Sequence, residues 1–187
     1  MNKQINSRWL SGSTAQLLKE YKPAILFLLR FLGVYVIGNI VYGLWIESYG
    51  TVADPITQLV SVNSAYFLKS LGLEAAIVTG NNVPNVALQL NGTTVVNVYE
   101  GCNAINVSIL FVAFLFAYKT SLLRTLIYSF LGLLAIYFFN ILRVAGLFIV
   151  ANYFPDTLYL MHKFVFTGII YALVFFLWYL WVAKFSR

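Results

Sequence analysis

The chain has 187 residues, 61% hydrophobic and only 10% charged, with a mean hydropathy of +0.83, a make-up far from that of a water-soluble globular domain. One cysteine and one histidine exclude an internal disulfide and leave no constellation for a metal, so no metal or cofactor is expected. The formal net charge of +6 comes from basic residues beside apolar runs, which bears on membrane orientation and argues against a nucleic-acid partner.

Residues 1–22 are polar and basic, with Lys3, Arg8, Lys19 and Lys22, and read as a cytoplasmic segment. Pro23 opens an apolar run ending near Trp45; it reads as the first spanning helix, and without a small-residue cleavage pattern it is expected to stay as an anchor. Arg30 inside it is read as snorkelling to the inner interface. In "ADPITQLVSVNSAYFLKSLGL", Asp54 precedes Pro55 as a helix N-cap, and Val60, Phe67 and Leu71 follow at helical spacing. An amphipathic helix lying along the outer membrane surface fits this pattern. "VALQLNGTTVVNVYE" then places Asn91-Gly92 between two β-rich runs, the signature of a two-residue hairpin turn leading into Glu100-Gly101-Cys102.

From Cys102 the chain is apolar to Tyr118, and Lys119 and Arg124 follow. A second long run extends from Leu122 through "FFNILRVAGLFIVANYF", interrupted by Asn140 and Arg143. After Pro155-Asp156 comes a last spanning segment carrying His162, with Trp178, Tyr179 and Trp181 near its end and Lys184 and Arg187 beyond. The expected fold is an all-α integral membrane protein of about four transmembrane helices, with an extracytoplasmic amphipathic helix and a small β-hairpin. Residues 23–187 read as one membrane-embedded domain with an extracytoplasmic insertion at about 46–101.

With four crossings, Lys3, Arg8, Lys19, Lys22, Lys119, Arg124, Lys184 and Arg187 share one face, and the 46–101 segment opposite adds only Lys69. The basic face is therefore read as cytoplasmic. At ~1.5 Å per residue, a helix climbing from Leu122 reaches Arg143 after about 32 Å, the outer boundary of the hydrocarbon. Cys102 begins its helix, and His162 the last one, on that same side. Each residue also has a plainer reading: Cys102 as apolar filler, His162 as an interfacial polar group, Arg143 as half of a structural ion pair. Three such residues at one level nonetheless favour a shared site.

"EGCNAI" (Glu100–Ile105), "NILRVAG" (Asn140–Gly146) and His162 followed by Thr167-Gly168 resemble the exosortase and archaeosortase family of membrane sorting enzymes. The order Cys, Arg, His matches over roughly residues 50–183, and the short length is similar to that of compact, Bacteroidetes-type members. Asn103-Ala104 stand where many members carry Ser-Gly. The resemblance implies a transpeptidase of the cytoplasmic (inner) membrane with its active site on the extracytoplasmic, periplasmic side. Its substrates would be membrane-anchored proteins with a C-terminal sorting signal, cut there and passed to an acceptor.

The residues themselves suit acyl transfer. Cys102, at the expected N-terminal end of a helix and near Arg143, is the candidate nucleophile, since both neighbours favour the thiolate; Glu100, if close, opposes it. His162 would protonate the departing amine and then activate the acceptor. Arg143 would donate to the oxyanion, worth ~3 to 4 kcal/mol in sites where one donor was removed. Asn140, three residues before Arg143, would orient it or the substrate, or else hydrogen-bond between helices. The hairpin would roof the site, guide an extended peptide, or serve structure alone. The competing class is a non-catalytic membrane scaffold or assembly subunit in which Arg143 pairs with Glu100. A transporter is disfavoured, because no pair of broken helices recurs in the two halves.

Overall fold

The computed structural model describes residues 7–80, 83–118 and 120–185. Of the basic residues read as cytoplasmic, Lys3, Lys119 and Arg187 lie outside the described residues. Helix α1 runs Ser7–Glu47, with Pro23 inside it. The helix therefore continues upstream of the proline expected to open it; the ring removes one backbone donor, which a helix survives at the cost of one hydrogen bond. Among the described residues, three segments are long and apolar enough to cross a membrane, Lys19–Glu47, Leu122–Tyr153 and Pro155–Lys184, and Ile105–Ala117 is a shorter apolar helix.

Asp54 caps helix α2 (Pro55–Ser70) as expected: its carboxylate accepts from the backbone N–H groups of Ile56 and Thr57. The buried stripe of α2 is Thr57, Val60, Ser61, Ser64, Ala65 and Leu68, spaced three or four apart and mostly small. That stripe faces protein, packing on the fourth helix and the sheet, while Leu71, expected on the apolar face, is exposed.

The hairpin is part of a three-stranded antiparallel sheet, β1 (Ala75–Thr79), β2 (Asn85–Leu90) and β3 (Thr93–Tyr99), in the order β1-β2-β3. Leu90 pairs with Thr93 across Asn91-Gly92, whose φ values of 51° and 80° are those of the turn that matches strand twist. Strand β1 adds a third strand to the expected two-stranded hairpin. A bulge between Leu88 and Gln89 shifts the β2–β3 register, and Val86, Leu88 and Val98 alternate inward to the core.

Helix α3 (Ile105–Ala117) is 13 residues long, about 20 Å, shorter than ~30 Å of hydrocarbon. It packs against α1, α4 and α6. Helix α4 (Leu122–Tyr153) has 32 residues, about 48 Å, so its last turns outrun a bilayer core. Those turns supply Val144, Ala145 and Phe148 to a core shared with α2, the sheet and Cys102. The last segment begins with a 3₁₀ turn (Pro155–Thr157) and a single α turn, α5 (Leu158–Leu160), then widens into a π-helical stretch, Met161–Phe166, before α6 (Thr167–Phe185). A second core, inside the helix bundle, joins Phe111 and Leu115 of α3, Ile136 of α4 and Val174 and Trp181 of α6. Trp181 is thus buried, whereas Tyr179 nearby is exposed.

Candidate active site

Cys102 closes a 3₁₀ turn, Glu100–Cys102, and does not open α3 as expected. The chain breaks from helical geometry at Ala104, which sits in the left-handed region (φ 62°, ψ 13°), and α3 starts only at Ile105. The sulfur-bearing residue is 7% exposed. Its backbone carbonyl accepts a hydrogen bond from Asn140 Nδ2 at 2.8 Å, so the fully buried Asn140 of α4 fixes the cysteine turn rather than Arg143.

The turn is also held from the other side. Asn103, buried, donates from Nδ2 to the hydroxyls of Tyr42 (2.8 Å) and Thr57 (3.2 Å), and its Oδ1 accepts from the backbone N–H of Ile105 (3.0 Å). The Thr57 hydroxyl donates to the buried Asp54 carboxylate, and the Tyr42 hydroxyl to the Glu100 carbonyl at 3.4 Å. A relay of polar groups, half-buried Tyr42 from α1 and buried Asp54 and Thr57 at the start of α2, therefore clamps Glu100-Gly101-Cys102-Asn103, and because each member is satisfied it rigidifies rather than costs. None of Tyr42, Thr57 or Asn103 stood out as a site residue in the sequence; the one available signal was Asn103 beside the cysteine.

Cys102 and His162 line one cavity of about 630 Å³, within the ~300–1,000 Å³ range of ligand sites. Residues Thr94 to Tyr99 of β3 form one wall, and Leu147, Pro155, Leu158 and Tyr159 complete the other with His162. His162 lies in the π-helical stretch, a local widening that recurs at functional sites because it re-aims side chains. Its carbonyl accepts from the Thr167 hydroxyl at 2.9 Å, five residues on. Gly146 lets this stretch approach α4: a Cβ there would meet the Phe166 ring at 2.7 Å.

Arg143 is half-buried one turn beyond Asn140 on α4, and neither is among the residues that line the cavity, although the adjacent Val144 is. The Arg143 Nε is buried without a hydrogen-bond partner, as is Asn140 Oδ1. Glu100 lies elsewhere, on a smaller pocket of about 250 Å³ shared with Glu47 and Asp54. Among the described residues it forms no ion pair with Arg143, so the contact that the scaffold alternative requires is not made.

A family model described as Transmembrane exosortase (Exosortase_EpsH) matches residues 13–181. Searches of curated proteins and of solved structures return no match. The family match covers most of the chain, including the cysteine turn, α4 and the π-helical stretch with its histidine. The chain belongs to the transmembrane exosortase family, membrane-integral enzymes whose general role is that of a cysteine peptidase or transpeptidase.

Proposed function

We propose that this exosortase cleaves C-terminally anchored proteins at a sorting signal on the extracytoplasmic side of the inner membrane and transfers them to an acceptor. The Cys102 thiolate attacks the scissile carbonyl, forming the C–S bond of a thioester as the C–N bond breaks. His162 gives a proton to the departing amine, then takes one from the acceptor nucleophile as it displaces the thiol. The Arg143 guanidinium donates to the oxyanion of each tetrahedral intermediate. Asn140 positions the nucleophile through the Cys102 carbonyl.

One observation carries the proposal: a thiol and an imidazole 60 positions apart in sequence line one cavity. In cells, Cys102→Ala is expected to abolish processing of a C-terminally anchored substrate while the protein still inserts and accumulates. Normal processing by that variant would remove the nucleophile from the mechanism.

A further inference from the structure

Strand β3 is an edge strand, since the sheet order is β1-β2-β3. Six consecutive residues, Thr94 to Tyr99, line the cavity that holds Cys102 and His162. Side chains alternate between the faces of a strand, so a wall that touches every residue in turn meets the strand along its edge, where unpaired backbone N–H and C=O groups lie. The sequence Thr93-Thr94-Val95-Val96-Asn97-Val98-Tyr99 carries no charge and no proline. Charge and proline are two of the devices that keep an edge from pairing; β3 lacks both beside a ligand-sized cavity, its one irregularity being the bulge that leaves Val95 unpaired with β2.

We propose that β3 recognises the substrate by strand addition: the residues of the sorting segment preceding the scissile bond pair, in extended form, with the free edge of β3. The proposal rests on the cysteine transpeptidase reading above. Its occupant is an extended peptide, because β3 ends at Tyr99, three residues before Cys102, and runs straight into the Glu100–Cys102 turn, so a peptide on that edge is delivered to the sulfur. Six paired residues span about 20 Å. An anchored substrate continues past the cut into its own membrane helix, while its preceding residues extend away from the lipid. The paired segment therefore runs from the Thr94 end toward Cys102, parallel to β3. Main-chain pairing supplies affinity with little demand on side chains, and the wall opposite, from Leu147 to His162, reads those that point across the cavity.

The test uses the full-length protein in detergent and an acetylated hexapeptide chloromethyl ketone of alternating threonine and valine, whose chloride is displaced by the Cys102 thiolate to leave a thioether. Adduct formation is followed by intact mass, beside an acetyl-alanyl chloromethyl ketone and hexapeptides N-methylated at one residue at a time. The hexapeptide is expected to label Cys102 at least tenfold faster than the single-residue probe. N-methylation should remove that gain at every second residue, since alternate residues of a paired strand aim their N–H at the neighbour. Labelling at one rate by all probes would overturn strand addition and leave the nucleophile intact. Failure of every probe to label Cys102 would overturn the underlying reading and this proposal with it. Equal rates together with a dimer that Val96→Pro dissolves would assign the edge to a second copy, also against the proposal.

Discussion

At the scale of single residues, the cysteine turn is governed by two positions that do no chemistry. Ala104 holds φ 62°, a conformation that costs a side-chain-bearing residue ~1–2 kcal/mol. Ala104 is also buried in the helix-bundle core, where losing a methyl costs ~0.8 kcal/mol. The two effects nearly offset, so Ala104→Gly should leave the melting temperature unchanged or raise it slightly, whereas Ala104→Val should lower it sharply. The Ser-Gly pattern that the sequence lacks here would satisfy the same backbone demand without strain. Asn140→Leu is a harsher case. It strips the Cys102 carbonyl of its donor, and an unsatisfied buried carbonyl costs ~1–3 kcal/mol; processing should fall at least tenfold while the protein accumulates, and wild-type rates would show that the contact does not position the nucleophile.

At the scale of elements, what was legible in the sequence was local. Asp54 before Pro55 and Asn91-Gly92 between β-rich runs specify their own cap and turn, and both form where expected. The departures depend on tertiary packing. Nothing in "GCNA" announces a left-handed alanine, because the conformation is imposed by the Asn103 network and by α3 beginning at Ile105. The π-helical stretch contains neither glycine nor proline, and β1 earns its strand geometry only by pairing with β2. Of the candidate site, order and depth put Cys102 and His162 at one level, and both line one cavity, but the partner of Asn140 was not legible, since Cys102 lies 38 positions away. Packing of the π-helical stretch on α4 offers a test at this scale: Gly146→Ala, driving a Cβ into the Phe166 ring, should reduce processing several-fold. Adding Phe166→Leu should restore part of it, and no rescue would mean that the approach of the two elements does not set His162.

For the whole molecule, the proposed reaction requires the sheet, the cysteine turn and the π-helical stretch to lie on one side of the membrane and Lys22, Arg124 and Lys184 on the other. Such an arrangement has two levels, and the two cores correspond to them: one joins α2, the sheet, Cys102 and the end of α4, the other α3, α4 and α6. In a Cys102→Ala background, Asn91→Cys should react with a membrane-impermeant maleimide on intact cells, and Arg124→Cys only after permeabilisation. The reverse pattern would place the catalytic residues in the cytoplasm.

The most direct measurement is isolation of the acyl-enzyme. When the wild-type protein is recovered from cells making an anchored substrate, its mass should include a covalent adduct on Cys102 that neutral hydroxylamine releases, as it does a thioester. Processed substrate in the absence of any such adduct, with Cys102→Ala processing as fast as wild type, would contradict the mechanism.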